Sequence, residues 1–232
     1  MPLINEYLSF KIAEKLNLNV PRCGLCILNE DVLVPENVAQ SQFAPKTENC
    51  GVSFFSEYIT RTTPVRLGLV PKLKNKEEFF KMVLFDHLIY NKDRNPGNIL
   101  IKVQSGFTLY LIDHSHVFKN QCIWDQYTFL QGIRDRDYLD LTILEYNDDV
   151  YGMFWKQLGF DEQLAKSVAV AFKDILKPEA VSNILGQLPP EWSNIISKQD
   201  YLALEKYINY RASHLLDMVM VIAEERRRKK YE

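Results

Sequence analysis

The sequence has no long apolar run, few cysteines and almost no net charge. No stretch of its 232 residues approaches the roughly 18 uninterrupted apolar residues that a membrane helix needs. The opening residues MPLINEYLSFK lack the basic segment and apolar run of a secretory signal. The formal net charge of −2 gives no general attraction for nucleic acid or for an anionic membrane. We therefore expect a cytoplasmic protein without a membrane or nucleic-acid partner.

Two hydrolase classes also lack their motifs. The G-x-S-x-G turn of serine hydrolases is absent. A metal hydrolase would need histidine and cysteine ligands, but no H-E-x-x-H is present and the candidates are scattered: His87, His114, His116 and Cys122. Cys23 and Cys26 form one C-x-x-C without a second, and on a predicted strand an offset of three places them on opposite faces. We therefore expect the four cysteines to be reduced and structural.

The first part of the chain predicts a helix followed by short strands. Apolar residues recur at helical spacing from Leu3 to Leu16. Runs of β-branched and aromatic residues predict strands at Arg22 to Leu28, Val32 to Val34 and Val52 to Ile59. Residues 35–51 are polar and predict a loop, and residues 60–74 carry prolines and a glycine without a period, which indicates a linker.

The second part is mainly helical and contains one hairpin. A broad apolar stripe predicts a helix from Glu77 to Tyr90, and the Asn-Pro-Gly sequence after it predicts a loop at residues 91–97. A hairpin of Ile99 to Val103 and Phe107 to Ile112 follows. Further helices are predicted at Ile123 to Gly132, Val150 to Leu158, Asp161 to Leu176, from Lys177-Pro178 onward, and at Gln199 to Glu225 with a kink or break. The basic run at residues 226–230 is typical of a solvated helix end.

Three polar residues around this hairpin form a pattern suited to phosphoryl transfer. Asp93 and Asn98 are separated as D-x-x-x-x-N, and Asp113 ends the second strand. Such a reaction needs a carboxylate to accept the proton of the acceptor hydroxyl, and oxygen ligands that hold Mg²⁺ against the nucleotide phosphates. A hairpin brings its two ends together, and carboxylate and carboxamide oxygens suit Mg²⁺ better than zinc. We therefore interpret Asp93 as the base and the other two as metal ligands. An Asx-rich turn before an ordinary hairpin is the alternative.

Three segments resemble HipA-like kinases, a family of the protein-kinase-like superfamily. In its catalytic region this family is related to phosphatidylinositol kinases. The segment NKDRNPGNILI…LYLIDHS is similar to the family's catalytic and metal-binding loops. The upstream NEYLSFKIAEKLNLNVP resembles its N-lobe helix, and VSFFSEYI resembles the strand that leads into the hinge between the lobes. The resemblance covers about residues 3 to 118.

The resemblance implies roles for further residues. Glu6 would be the helix glutamate that pairs with the ATP-binding lysine, although an acid near a helix N-terminus is also favourable without such a role. The hinge would be Glu57, Tyr58 and Ile59, whose backbone binds adenine. Arg94, next to the base, would organise the catalytic loop or neutralise phosphate charge. The cofactors would be ATP and Mg²⁺ and the acceptor a protein Ser/Thr hydroxyl, with a lipid as the alternative acceptor.

The sequence thus predicts an α+β, protein-kinase-like fold in two parts. Residues 1–62 would form a partial, strand-rich N-lobe and residues 63–232 a helical C-lobe with the catalytic loop and metal-binding hairpin. The glycine-rich phosphate loop and the lysine-bearing strand, which should precede Glu6, are not in the sequence. The chain would then be a truncated or misannotated product, a protein that takes these strands from a partner, or a degenerate kinase. A degenerate kinase would be a pseudokinase-like module that binds nucleotide or a partner protein without turnover.

Overall fold

The computed structural model describes residues 1–29, 50–104 and 106–230, in which strands lie in the first half and helices dominate the second. Two small antiparallel sheets are formed. The first pairs β1 (Cys23–Leu28) with β2 (Gly51–Ser56), with Cys23 opposite Ser56. The second has the order β3 (Thr62–Pro64), β4 (Ile99–Lys102) and β5 (Thr108–Leu111), with Ile99 opposite Leu111.

Ten α-helices lie in the described residues, and one of them precedes the strands. They are α1 (Pro2–Lys15), α2 (Glu78–Leu88), α3 (Gln126–Arg134), α4 (Thr142–Tyr146), α5 (Asp148–Leu158), α6 (Glu162–Ile175), α7 (Pro178–Leu185), α8 (Pro190–Ser193), α9 (Lys198–Ser213) and α10 (Leu215–Lys230). Short 3₁₀ helices span Leu67–Lys72, Pro96–Asn98, Gln121–Ile123 and Asp137–Leu139. None of the described helices is long and apolar enough to cross a membrane.

Most predicted elements are confirmed to within a few residues. Pro2 opens α1 and Pro178 opens α7, because proline suits the first helical turn, where its missing N–H is not needed. The long C-terminal segment is broken at His214, between α9 and α10. Ser197 caps α9 by accepting a hydrogen bond from the Asp200 amide at 3.0 Å. The predicted strand at Val32 to Val34 lies outside the described residues, as does most of the polar loop at 35–51.

Two boundaries differ from the prediction. The segment 60–74 is not only a linker, because it contains β3 and the 3₁₀ helix at Leu67–Lys72. A three-residue strand is too short to show a periodic pattern, and it forms because β4 offers it a partner edge. The strand predicted through Ile59 ends at Ser56. The predicted hinge residues 57–59 therefore follow β2 without regular secondary structure. β3 straddles the predicted lobe boundary at residue 62, and that division stays a prediction.

One continuous apolar core joins α1, α2, the β4–β5 hairpin and the later helices. Within this core α2 packs against α5, and the rings of Phe79 and Phe154 stack with centroids 4.6 Å apart. The basic end of α10 is tied to this body, because Arg227 and Lys229 form ion pairs with Glu162 and Asp148. This packing fixes α1 and the hairpin relative to each other, which positions the site described next.

Candidate functional site

A cavity of about 560 Å³ gathers several of the predicted site residues. We call it the hinge cavity. Its polar wall includes Glu6 on α1 and Asp113 after β5, and its rim is the segment Glu57–Ile59 that follows β2. Its apolar wall consists of Phe10, Val20, Phe54, Leu100 and Leu111. An apolar slot with a few converging polar groups is the usual form of a small-molecule site.

The two predicted metal ligands lie at the open end of the hairpin, away from its turn. The Ile112 amide donates to the Asn98 carbonyl at 3.1 Å, so Asp113 follows directly after a residue bonded to Asn98. The Asn98 side-chain nitrogen donates to the Asp93 carbonyl at 2.7 Å. This bond orients the carboxamide so that its Oδ1 is the atom available to a cation. One side-chain bond from Asn98 to Asp93 and one backbone bond from Ile112 to Asn98 therefore tie the three predicted residues to the same end of the hairpin.

Asp113 has a left-handed backbone conformation, with a φ of 55°. Aspartate adopts this conformation more readily than most residues other than glycine and asparagine. The Asp113 carboxylate accepts from the Ser115 hydroxyl at 2.8 Å, which stabilises the tight turn after β5. The turn presents an exposed carboxylate at the wall of the hinge cavity.

Glu6 contacts the same turn from α1. Its Oε1 accepts from the His114 amide at 3.0 Å. The pKa of Glu6 is raised to about 7, mainly by burial and to a smaller extent by the neighbouring Asp113 carboxylate, whereas the His114 amide and Arg94 act in the opposite direction. The carboxyl group of Glu6 is therefore partly protonated near neutral pH. The role of Glu6 as the partner of a lysine stays a prediction.

Asn5, next to Glu6, holds the other side of this turn. It is fully buried and donates to the Ser115 carbonyl at 2.7 Å. The Trp124 indole N–H donates to the Asn5 side-chain oxygen at 2.8 Å, which fixes the orientation of the carboxamide. Two successive residues of α1 thus hold the turn after Asp113.

The predicted catalytic loop is built by asparagine turns. Asn91 accepts from the Asp93 amide at 2.9 Å, and Asn95 accepts from the Gly97 amide at 2.9 Å. These bonds leave the Asp93 side chain 44% exposed, with His116 Nδ1 3.8 Å from its carboxylate. An exposed carboxylate on a rigid loop can reach an incoming hydroxyl, as a general base requires.

Arg94 is buried beneath that loop. Its guanidinium forms two hydrogen bonds to Asp86 on α2, at 2.8 and 3.1 Å, and neither side chain is exposed. It also donates to the Asn98 carbonyl at 2.9 Å and the Ile112 carbonyl at 3.1 Å. This geometry favours organisation of the loop over contact with phosphate, the other role considered for Arg94.

The acid and amide side chains that hydrogen-bond to Arg94 were not predicted from the sequence. Besides the arginine, Asp86 accepts from Asn91 at 2.9 Å and from the Tyr151 hydroxyl at 2.9 Å. Asn147, just before α5, accepts from the Arg94 amide at 2.9 Å. The available signal was Asp86 itself, an acid within the apolar run of α2. A buried acid of this kind needs a cationic or hydrogen-bonding partner.

Two of the four histidines, His87 and His114, are buried. His87 is buried, as expected, and its Nδ1 donates to the Val83 carbonyl at 2.8 Å. Burial lowers the pKa of His87 to about 4 and lowers the pKa of His114 well below its usual range. The His114 ring packs edge-on against Phe85, with centroids 5.4 Å apart. Both rings are therefore neutral in the folded protein.

The donor set suits magnesium rather than a transition metal. Within the described ranges, no group of three His, Cys, Asp or Glu residues could hold a metal ion. Asn98 and Asp113 supply one carboxamide oxygen and one carboxylate, which are hard ligands. Mg²⁺ usually takes only one or two protein carboxylates and completes its shell with water and phosphate oxygens. The residues present therefore fit Mg²⁺ carried with a nucleotide.

Comparison with known proteins identifies similarity to a protein family and to solved structures. A family model described as HipA-like kinase matches residues 1–131. The crystal structure of the Helicobacter pylori proinflammatory kinase CtkA superposes with a TM-score of 0.56 at 17% sequence identity, over 97% of this chain and 81% of that one. At this identity the likeness shows the fold alone, which is α+β and protein-kinase-like. No curated protein matches the sequence significantly.

Proposed function

Since the chain belongs to the HipA-like kinase family, we propose that it transfers phosphate from Mg²⁺–ATP to a protein serine or threonine hydroxyl. The observation that carries this proposal is the hinge cavity, in which Glu6, the segment 57–59 and Asp113 meet. Its volume of about 560 Å³ lies in the range of small-molecule sites, which is roughly 300–1,000 Å³.

The nucleotide would lie with its base between the apolar walls. Phe54 and Leu111 line opposite elements of the hinge cavity and can cover the two faces of a purine. In the segment Glu57–Ile59 the Glu57 amide donates to the Arg22 carbonyl and the Ile59 carbonyl accepts from the Thr62 hydroxyl, so the other backbone groups of the segment would contact the base edge. Asn98 and Asp113 would hold Mg²⁺, which supplies charge neutralisation on the phosphates when it is bound.

The acceptor would approach from the side of Asp93. That carboxylate would orient the hydroxyl and receive its proton as the bond to phosphorus forms. Arg94 would act as a positioning residue, because its hydrogen bonds hold the backbone at Asn98 and Ile112. Fixing these groups in advance lowers the entropy cost of bringing the reactants together.

A second candidate function is nucleotide binding without efficient transfer, as in a pseudokinase-like or split module. It is favoured by Glu6, whose carboxyl group contacts Asp113 and the His114 amide and has a raised pKa. A glutamate paired with a phosphate-binding lysine would be ionised. The loss of one preorganised charged donor costs about 3–4 kcal/mol of transition-state stabilisation.

The first experiment measures thermal stabilisation by ATP with and without Mg²⁺, in the wild type and in Asp113→Asn. We expect a Mg²⁺-dependent rise in Tm in the wild type and its loss in the variant. Asp174→Asn is the matched control, because Asp174 is an exposed carboxylate on α6, remote from the hinge cavity. The absence of a Mg²⁺-dependent shift in the wild type would refute the nucleotide assignment.

Transfer is tested separately with γ-labelled ATP, a protein extract as acceptor and Asp93→Asn. We expect this variant to keep the Mg²⁺-dependent Tm shift and to lose labelling by at least about 100-fold, the usual contribution of a general base. A shift without any labelled product in the wild type would select the second candidate.

A further inference from the structure

A second cavity, of about 520 Å³, lies beside the catalytic loop. We call it the basic cavity, because Lys92, Lys119 and Arg134 line it. Tyr127 on α3 also lines it, and its side chain is 70% exposed. Lys92 directly precedes Asp93, so the basic cavity begins one residue from the proposed base.

The three cationic side chains differ in their hydrogen-bond, ion-pair and ring contacts. Lys119 donates to the Tyr90 hydroxyl at 3.2 Å and lies 3.7 Å from the Asp137 carboxylate. Arg134 donates to the side-chain oxygen of Gln131 at 2.6 Å, which is a neutral partner. Lys92 lies over the rings of Tyr90 and Tyr146, at 5.6 and 5.2 Å, and pairs with no carboxylate of the described residues.

The acids near this cavity are already engaged. Asp137 is fully buried, and its carboxylate pairs with Arg211 at 2.6 Å as well as with Lys119. Asp140 accepts from the Tyr90 hydroxyl at 2.7 Å. Asp135 is exposed and accepts from the Gln131 side chain at 2.6 Å. The described residues that line the cavity include three cations and no Asp or Glu, so its lining is positively charged.

We propose that the basic cavity binds an anionic side chain of the acceptor polypeptide, a carboxylate or a phosphate close in sequence to the phosphorylated hydroxyl. The inference rests on the proposed function, because it assigns the acceptor side of that reaction. Lys92 and Lys119 supply compact positive charges, Arg134 a planar fork suited to either anion, and Tyr127 an aromatic surface for the peptide. The cavity would thereby select acidic acceptor sequences.

The test measures binding of fluorescein-labelled serine peptides to the full chain by fluorescence anisotropy. Three peptide sets carry Asp and Glu, phosphoserine, or Lys beside the serine, and the first two distinguish carboxylate from phosphate. The variant is Lys92→Glu with Arg134→Glu. The control is Lys156→Glu with Lys173→Glu, which makes the same charge change at exposed positions of α5 and α6. The Mg²⁺–ATP Tm shift is recorded for every protein.

We expect the wild type and the control to bind an acidic or phosphorylated set at least about tenfold tighter than the Lys set, and the Lys92/Arg134 variant to lose this preference. We also expect the preference to weaken as salt is raised. Equal binding of all peptides by the wild type, no measurable binding, or equal behaviour of variant and control would overturn the inference. If the wild type shows no rise in Tm with Mg²⁺–ATP but keeps its preference for anionic peptides, the proposed function is refuted and the basic cavity remains a site for anionic polypeptides.

Discussion

The hinge cavity and the basic cavity are similar in volume and opposite in charge. The first has Glu6 and Asp113 on its wall and Glu57 on its rim, and the second has Lys92, Lys119 and Arg134. The loop at residues 91–97 lies between them and carries Asp93 and Arg94. Beneath this loop, Arg94 pairs with the buried Asp86 of α2. The candidate site is therefore divided into an acidic side and a basic side by one rigid loop.

This difference shows how two anionic reactants could be sorted. A nucleotide triphosphate is repelled by an acidic wall unless a divalent cation accompanies it, because like charges in a partly buried site interact strongly. An anionic acceptor needs no such cation in a basic cavity. Binding on the two sides should therefore respond in opposite ways to Mg²⁺, and only the basic side should be weakened mainly by monovalent salt.

The largest expected effect comes from removing the support between the cavities. Asp86→Ala leaves Arg94 buried without its counter-ion, which should lower the free energy of unfolding by about 3–5 kcal/mol. Urea denaturation measures this loss. The control is Glu14→Gln, which breaks the exposed pair with Lys11 on α1 and should cost below about 1 kcal/mol. A similar loss in both variants would show that Arg94 does not organise the loop.

The next effect tests the acidic side through pH. The folded-state pKa of Glu6, about 7, lies above its ordinary value of 4.5. The folded chain therefore holds a proton that the unfolded chain has released, and this contribution to stability falls as pH rises from 4.5 to 7. Glu6→Gln keeps the acceptor for the His114 amide and should be about 1–3 kcal/mol more stable than the wild type at pH 8.

The gain in Glu6→Gln should disappear near pH 4.5, where the wild-type carboxyl group is neutral in the folded state. Urea unfolding at pH 4.5, 6 and 8 without Mg²⁺ gives the profile. Parallel profiles for the two proteins would mean that the acidic wall carries no ionisation penalty, and the contrast between the cavities would then lose its electrostatic basis.

A smaller effect concerns access to the hinge cavity. Cys23 on β1 lines that cavity, and burial raises the pKa of its thiol. Mg²⁺–ATP should slow the alkylation of Cys23 by iodoacetamide by at least about fivefold, because a bound ligand blocks the reagent and stabilises the folded protein. Cys26, on the same strand but outside the cavity lining, is the internal control. Mass spectrometry of the alkylated peptides would reveal equal protection of both thiols if ATP bound elsewhere.

The smallest effect is expected at Lys92. In the described part of the chain, its ammonium lies over the faces of Tyr90 and Tyr146, at distances typical of weak cation–π contacts. Lys92→Met should therefore change the free energy of unfolding by less than about 1 kcal/mol. Thermal and urea unfolding measure this change. A large destabilisation would mean that the charge serves the fold, and the basic cavity would be a structural feature rather than a binding surface.

The sequence allowed much of the fold to be predicted because its signals are local. The stripe on α2, the proline at the start of α7 and the turn at residues 95–97 each act within a few residues. The D-x-x-x-x-N spacing and the strand ending at Asp113 likewise indicated three residues that the hairpin connects. Local patterns thus identified three residues that the structure links, and the catalytic and metal-binding roles of these residues stay predictions.

The supports of the site could not be predicted because they join distant parts of the chain. Asn147 holds the Arg94 amide across 53 residues, and Arg211 holds Asp137 across 74. Neither pairing leaves a periodic signal, and a buried acid predicts that a partner exists without identifying it. The strand β3 was missed for a similar reason, since only its partner β4 makes three residues a strand.

The two hydrogen-bonding residues of α1 have a dynamic consequence. Asn5 holds the Ser115 carbonyl and Glu6 holds the His114 amide, so the helix grips the turn after Asp113 on both sides. Opening one segment requires breaking the bonds to the other, which makes them one cooperative unfolding unit. A displacement of α1 would therefore move the turn that carries the Asp113 carboxylate and change the shape of the hinge cavity.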